Sequence, residues 1–166
     1  MTKKPQTWRM KLGEAVRHAV FPAIAARGFA SPKDTEKNFH SFQRARADGG
    51  YDLLEIQFDK NARPCFFINL GIAPAQGVTL PAQGHITAAD VRIYHLAVQA
   101  RFKNTFGLSR LARWLRPKTA CAGVAQKVVT ALADAEKWFA HPDACPSTIR
   151  AHDYSDIIEK MKQRTE

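Results

Sequence analysis

Apolar residues near the start of the chain recur with the spacing of an α-helix. They are Trp8, Leu12, Val16, Ala19, Val20, Ala23 and Ile24. This spacing predicts an amphipathic helix over residues 7–27, with its apolar stripe against the core. Thr7 suits the N-cap position and Gly28 the left-handed C-cap position. Pro22 lacks a backbone N–H, so we expect it to kink the helix or to split it after Phe21.

Beyond this helix the pattern changes to the two-residue alternation of β-strands. The alternation predicts strands over residues 38–46 and 51–59, joined by the tight turn Asp48-Gly49-Gly50. A second turn at residues 59–63 leads to a segment, 65–72, that is rich in aromatic and β-branched residues and is typical of a central strand. Three strands joined by short turns predict an antiparallel meander.

The pattern in the second half of the chain is less regular. Residues 73–90 contain several prolines and glycines, which indicates a long loop. Alternation returns over residues 91–102 and predicts a fourth strand. Helical spacing then predicts a short helix over 106–115, a long one over 119–140 and a weaker one over 147–163.

These elements together predict an α+β fold. We expect an antiparallel sheet of about four strands, packed against the N-terminal helix and the long C-terminal helix, with one or two short helices besides. The length of 166 residues and the 45% hydrophobic composition suit a single domain over residues 1–166. Residues 7–140 are expected to form its core, and residues 141–166 a C-terminal helical extension.

Seven short motifs follow one another along the predicted elements. They are Phe21-Pro22, Arg27-Gly28-Phe29, Phe42-Gln43-Arg44, Leu54-Glu55-Ile56-Gln57-Phe58-Asp59-Lys60, Phe66-Phe67-Ile68-Asn69-Leu70-Gly71-Ile72, Phe106-Gly107-Leu108 and Trp114-Leu115-Arg116-Pro117. In this order they resemble the bacterial domain of unknown function 4304 family, over residues 10–140. The resemblance implies a small soluble bacterial α+β domain without an assigned activity, and it brings no catalytic residues with it.

The charge of the chain adds a functional constraint. The sequence carries 25 Lys and Arg residues against 15 Asp and Glu, for a formal net charge of +10. Such a balance favours an anionic partner, such as nucleic acid, a phosphate group or an acidic protein surface. The alternative is a basic surface that is solvated and has no specific role. Net charge alone does not separate the two.

The basic residues concentrate in residues 91–118, a stretch without Asp or Glu. Six of its cations are candidate ligands for an anionic partner: Arg101, Lys103, Arg110, Arg113, Arg116 and Lys118. Three of the arginines are spaced i, i+3 and i+6, so they share one side of the predicted short helix. Guanidinium groups can bind phosphates through two hydrogen bonds, and interleaved aromatic side chains can stack on bases. No helix-turn-helix, zinc-finger or RNP-type pattern is present, so sequence-specific reading of DNA is not predicted.

The apolar residues of the same stretch have a second interpretation. They are Phe102, Phe106, Leu108, Leu111, Trp114 and Leu115. Their spacing fits an ordinary stripe buried in the core, in which case the arginines form only a solvated face. The choice between these interpretations depends on whether the aromatic side chains are exposed.

The leading hypothesis is a non-enzymatic binding or interaction module whose partner is nucleic acid or another anion. A second hypothesis is a small enzyme with a pocket between the sheet and the 73–90 loop. Its candidate residues are His40, Asp59, Asn69 and His95, because acid–base chemistry needs polar groups that converge in a pocket. A third is an immunity-like protein that binds one acidic protein. No spacing typical of a metal site is present, and neither a metal nor a cofactor is predicted.

The remaining features bear on location and assembly. Cys65, Cys121 and Cys145 are an odd number of widely spaced cysteines, which is typical of reduced thiols rather than of a disulfide framework. The first residues lack the apolar run of a signal peptide, and no apolar run is long enough to cross a membrane. We therefore expect a cytoplasmic protein without a membrane partner. An open sheet edge can pair two copies, so the sequence leaves both a monomer and a dimer open.

Overall fold

Helices pack against an antiparallel sheet in the computed structural model, which describes residues 6–31, 38–81 and 83–155. In chain order the elements are α1 (Trp8–Ala15), a π-helical turn (Val16–Val20), α2 (Phe21–Ala25), β1 (Phe39–Ala45), β2 (Tyr51–Phe58), β3 (Cys65–Ala73), β4 (Val78–Leu80), β5 (Gly84–Ile86), a 3-10 turn (Ile93–His95), β6 (Val98–Phe102), β7 (Phe106–Gly107), α3 (Arg110–Leu115), α4 (Ala120–Ala140) and β8 (Ile149–Asp153). The predicted α+β class is confirmed, with an N-terminal helix, an antiparallel sheet and a long C-terminal helix.

The N-terminal helix begins and ends as its sequence predicts. The Thr7 hydroxyl accepts a hydrogen bond from the Met10 N–H, and Gly28 follows α2 with a φ of +82°. The irregularity near Pro22 lies earlier than expected, in the π-helical turn that comes before α2. Pro22 lies just after this turn, and the helix is continuous there, since Val20 and Phe21 keep right-handed helical backbone angles. The Phe21 N–H donates to the Val16 carbonyl, five residues back, so the wider π-helical turn accommodates the proline that lacks an N–H.

The sheet has the order β1-β2-β3-β6-β8, and all its pairings are antiparallel. The predicted meander of β1, β2 and β3 is confirmed. Beside β3 lies a strand in two parts, since β6 pairs Asn69 with Arg101 and β7 pairs Phe66 with Phe106. Four residues, 102–105, therefore face two residues, 67–68. The two extra residues form a bulge that interrupts this strand.

The two faces of the sheet are covered differently. The first helices and α4 cover one face, with a core that includes Leu12, Val16, Ile24, Ile56, Phe66, Leu132 and Trp138. A smaller cluster of Leu53, Ala73, Val91, Ile93 and Leu96 lies on the other face. The segment between β3 and β6 thus acts as a cover for part of the second face.

The predicted fourth strand over residues 91–102 is wrong in its first half. Residues 93–95 form a 3-10 turn, and β6 begins only at Val98. The apolar residues of this alternation, Val91, Ile93 and Leu96, contact a face of the sheet and do not pair with it as a strand. At Gly71 a Cβ atom would lie 2.5 Å from the Cδ1 atom of Leu96, so the glycine makes room for this side chain.

Two other boundaries differ from the prediction. The short helix expected over 106–115 begins only at Arg110, because Phe106 and Gly107 pair with β3 as β7. The loop expected over 73–90 contains a small hairpin formed by β4 and β5. The long helix expected over 119–140 is confirmed by α4.

The last predicted helix, over residues 147–163, is wrong in its described part. Residues 149–153 form β8, which pairs with β6 along its whole length. Residues 156–163 of that prediction lie outside the described residues. The strand is favoured because the backbone groups on this edge of β6 need partners, and Ile149 fills a core position at the same time. Within the expected helical extension, residues 141–148 form a loop with turns and residues 149–153 form a strand of the central sheet.

The Arg44 side chain connects three parts of the fold. Its Nη1 atom donates to the Arg27 carbonyl at 2.9 Å and to the Glu136 carboxylate at 2.9 Å. Its Nη2 atom donates to Asp52 at 2.7 Å, and its guanidinium carbon lies 4.4 Å from the centre of the Phe29 ring. Strand β1 is thereby joined to β2, to α4 and to the turn after α2.

Replacement of Ile149 by alanine tests whether β8 belongs to the core. Ile149 is 2% exposed, so the loss of its side chain should lower the free energy of unfolding by about 2–5 kcal/mol. Val98, which is also β-branched but 51% exposed on β6, serves as the control. Val98→Ala should cost less than about 1 kcal/mol in the same urea titration. Equal effects of the two substitutions would contradict the placement of β8.

Arg44→Met should lower the free energy of unfolding by about 2 kcal/mol. The reason is that Glu136 loses its guanidinium partner, while Asp52 keeps only Arg46. This loss is smaller than the loss expected for a fully buried ion pair, because the Arg44 side chain is partly exposed. Lys137→Met is the matched control, since Lys137 is mostly exposed and pairs with the single carboxylate of Asp134, which is not buried. We expect a cost below about 1 kcal/mol for that variant. A similar cost for both would mean that Arg44 does not join the layers.

Candidate functional site

Arg101 lies on the sheet, on the face away from the helices. Its Nε atom donates to the Asn69 side-chain oxygen at 2.7 Å, and its guanidinium carbon lies 5.0 Å from the centre of the Phe67 ring. The Asn69 amide in turn donates to Glu55 at 2.8 Å and to Gln57 at 3.1 Å. Neighbouring strands thus hold this arginine through a polar network, so it is less free to turn toward a partner than an ordinary surface arginine.

Lys103 marks the point where the chain leaves the β6–β8 ladder. Its N–H donates to the Thr148 carbonyl at 2.9 Å, which continues the pairing by one residue. Asn104 and Thr105 then form the rest of the bulge, and all three residues are exposed. The Lys103 ammonium group therefore lies at the surface, next to an interruption of the sheet.

The other four candidate cations lie on α3 or directly after it. The helix is short because it has a stop signal at each end. The Ser109 hydroxyl accepts from the Ala112 N–H at 3.0 Å, and Arg116 has left the helical conformation before Pro117. Arg110 and Arg113 therefore project from one short, capped helix, and Arg116 lies at its end.

The buried stripe considered for this segment is wrong for α3. No residue of α3 is buried, and the exposed fractions are 63% for Leu111, 78% for Trp114 and 57% for Leu115. Phe102 and Leu108, by contrast, are buried in the main core. The short helix thus presents its large apolar side chains to solvent, beside its arginines.

None of the six candidate cations forms an ion pair with an acid within the ranges 6–31, 38–81 and 83–155. Other cations neutralise the acids that are paired there. These pairs join Asp52 to Arg44 and Arg46, Asp48 to Arg46, Glu136 to Arg44, Asp59 to Arg63, and Asp134 to Lys137. The positive charge of the segment is therefore not compensated by neighbouring carboxylates of these ranges.

A cleft of about 400 Å³ opens between the bulge and α4. Its lining consists of Phe102, Asn104, Thr105, Phe106, Gly107, Val124, Lys127, Ala131 and Thr148. Lys127 is the only charged side chain among these residues. Sequence reasoning missed this cleft because it depends on the two extra residues opposite β3, and strand register is not visible in the sequence of one strand.

The four residues of the enzyme hypothesis do not converge. His40 lies on the helix face of the sheet, with its ring 5.2 Å from the Phe21 ring. Asn69 lies on the opposite face, within the polar network of Arg101. Asp59 accepts two hydrogen bonds from the Arg63 guanidinium, and the Nδ1 atom of His95 accepts one from a backbone N–H. Asp59, Asn69 and His95 thus bind separate neighbours, and His40 packs against an aromatic ring.

A second, much smaller cleft lies between the sheet and residues 91–93. Its volume is about 10 Å³, close to the least that holds one water molecule. Ser41, Gln43, Glu55 and Arg92 provide its polar lining, and none of the four residues of the enzyme hypothesis lines it. This cleft therefore gives no support to a catalytic pocket beside the 73–90 segment.

Burial and nearby cations lower the pKa values of two histidines near the sheet. Burial lowers the pKa of His40, and the cations Arg17 and Arg9 lower it further. Burial also lowers the pKa of His95, with a contribution from Arg92. Both imidazoles are therefore neutral at pH 7, since their pKa values lie below the ordinary 6.5.

The three cysteines are free thiols. Burial raises the pKa of Cys65, and the negative charge of Asp59 raises it further. Burial also raises the pKa of Cys121. A raised pKa keeps these two sulfurs protonated at neutral pH, which disfavours a nucleophilic role.

The described part of the chain holds no group of three or more His, Cys, Asp or Glu residues that could bind a metal ion. Nor does any helix in these ranges combine the length and hydropathy that a bilayer crossing requires.

The structure defines a class of small α+β domains in which an antiparallel sheet carries helices on one face and an irregular cover on the other. The family model described as "Domain of unknown function (DUF4304)" matches residues 25–141. The chain therefore belongs to this family, as its motifs indicate. No curated protein and no solved structure matches the chain.

The environment of His40 predicts a loss of stability in mild acid. Because its pKa is lowered in the folded state, the unfolded chain takes up the proton first, and folding becomes less favourable as the pH falls below about 6.5. Asp59, whose pKa is lowered by Arg63, titrates at much lower pH and does not contribute there. Urea titrations between about pH 7.5 and pH 5 should therefore show falling stability.

His40→Gln should make this pH dependence shallower, because one of the two histidines with a lowered pKa is removed. The stability of each protein at about pH 7.5, where the imidazole of His40 is neutral in both the folded and the unfolded state, is the reference that accounts for any loss of packing. An unchanged slope in the His40 variant would contradict the assignment.

Proposed function

We propose that this protein is a non-enzymatic binding module. Its binding surface is the basic segment, which we define as Arg101, Lys103, Arg110, Arg113, Arg116 and Lys118. Its partner is an anionic macromolecule, either a nucleic acid or an acidic protein. We place the protein in the cytoplasm of a bacterium, which is consistent with its three free thiols.

The observation that carries this proposal is the uncompensated charge of the basic segment. Its six cations have no carboxylate partner within the described ranges, although other acids there are paired. Arginines that pair with no carboxylate of these ranges leave guanidinium donors available to a partner. An anion that binds there does not have to displace a carboxylate of the same ranges.

The segment supplies two kinds of contact. Arg101 is held in place by Asn69 and the Phe67 ring, so it provides a fixed guanidinium on the sheet. The α3 arginines lie apart from Arg101, on a helix that packs through Ala112 against the main core on the other face of the sheet, and they can adapt to carboxylates or phosphates. Trp114 adds a large exposed surface to the α3 arginines.

Reversal of three charges on α3 tests the proposal. The triple variant Arg110→Glu, Arg113→Glu, Arg116→Glu should weaken the binding of labelled single-stranded DNA, duplex DNA, RNA and polyglutamate in fluorescence anisotropy. These side chains are outside the core, so the circular dichroism spectrum should not change. With single-stranded DNA, the slope of log K against log salt should become smaller by about 2, because three phosphate contacts are lost.

The matched control reverses three exposed cations elsewhere, at Lys11, Arg17 and Lys60. It changes the net charge by the same amount. If both triple variants weaken binding equally, binding follows net charge and the assigned surface is wrong. If wild type binds none of the four probes at low salt, the proposed function is wrong.

A further inference from the structure

The apolar side of α3 is unusual for a protein surface. Seven large hydrophobic side chains are exposed in the described residues, and three of them lie on this six-residue helix. They are Leu111, Trp114 and Leu115, which we call the α3 stripe. Single exposed hydrophobic residues are common, whereas a cluster of them marks a contact surface.

The α3 stripe has a defined orientation. Its residues are spaced i, i+3 and i+4, so they share one face of the helix. Ala112, on another face, packs against the main core. Arg110 is adjacent to the stripe around the helix, and Arg113 lies beyond it. The surface is therefore an apolar strip with a basic edge.

The helix is capped and anchored at both ends although its stripe is not buried. The Ser109 cap fixes its first turn, and the Arg116 N–H donates to the Ala112 carbonyl at its end. Leu108 and Ala120, on either side of α3, are both buried and anchor the segment to the core. A partner would meet a preformed helix and would not lose affinity to its ordering.

We propose that the α3 stripe docks an amphipathic helix of another protein, with an apolar face edged by Asp or Glu. This inference rests on the proposed function, because the basic segment supplies the charge that the partner complements. The apolar faces of the two helices pack together, as in ordinary helix–helix contacts. The arginines at 110 and 113 then bind the carboxylates at the edge, and Trp114 supplies the largest buried area.

Two other occupants fit the stripe less well. A nucleic acid can stack a base on Trp114, but it leaves Leu111 and Leu115 in water, since leucine offers no aromatic face. A second copy of this chain would bring two sets of α3 arginines together, and like charges across an interface are repulsive. An acidic helix matches both the apolar strip and its basic edge.

The test uses three labelled probes of similar negative charge. The first is a peptide of about 18 residues, roughly five helical turns, with leucines on one face and glutamates at its edges. The second has the same composition with the leucines spread around the helix. The third is an oligo(dT). We expect the first peptide to bind most tightly and to shift the emission of Trp114 to shorter wavelength, a shift that Trp114→Phe should abolish.

The double variant Leu111→Ser, Leu115→Ser separates apolar docking from charge. It should weaken binding of the striped peptide by about tenfold or more and leave the scrambled peptide and oligo(dT) unaffected. Tyr94→Ser, Val98→Ser is the matched control, because both of these side chains are exposed away from α3. The control should bind all three probes as the wild type does.

The outcomes distinguish this inference from the proposed function. Equal binding of the two peptides, with no effect of the leucine substitutions, overturns the docked helix but leaves the anion-binding surface intact. Tighter binding of oligo(dT), dependent on Trp114 and not on the leucines, also overturns it and makes nucleic acid the partner. Absence of binding to all three probes overturns the docked helix, and it overturns the proposed function as well only if duplex DNA, RNA and polyglutamate also fail to bind.

Discussion

A single guanidinium group, that of Arg44, holds the main layers of this fold in one arrangement. Its Nη2 atom donates to Asp52 on the neighbouring strand β2, and its Nη1 atom donates to Glu136 on α4. It also binds the Arg27 carbonyl beyond α2, where the chain turns toward the sheet. Apolar packing carries most of the contact between α4 and the sheet, and its contacts have little direction of their own. The directional bonds of Arg44 add a fixed point between α4 and the sheet, and α4 forms one wall of the cleft and follows α3 in the chain.

The parts of the fold that could be predicted from the sequence are those with a complete local pattern. The meander of β1, β2 and β3 has alternating residues and short turns, and α4 has four turns of helical spacing, so both were predicted within a few residues. Residues 93–96 and 149–153 were misassigned for the opposite reason. Their few apolar side chains are buried by contacts with distant strands, and short apolar runs do not distinguish a strand from a turn or a helix.

The candidate site was predicted only in part. The stretch without acids and the arginine spacing were visible in the sequence, and the structure adds that these arginines have no acidic partners among the described residues. The exposure of Trp114 was not visible, since an apolar stripe on a helix ordinarily faces the core. In α3 the small Ala112 faces the core instead, and the large side chains are left outside. The bulge at residues 102–105 was also hidden, because it exists only relative to β3.

The position of β8 has a consequence for synthesis of the protein on the ribosome. Strand β6 lies between β3 and β8, so one of its edges has no partner until residue 153 has left the exit tunnel. Residues 103–148, including all of α4, are made in the interval. During this time the nascent sheet presents an unpaired edge, which is where neighbouring nascent chains can pair wrongly. The residues that close this edge lie beyond the 25–141 span that the family model matches, so a chain ending with that span would keep the edge open.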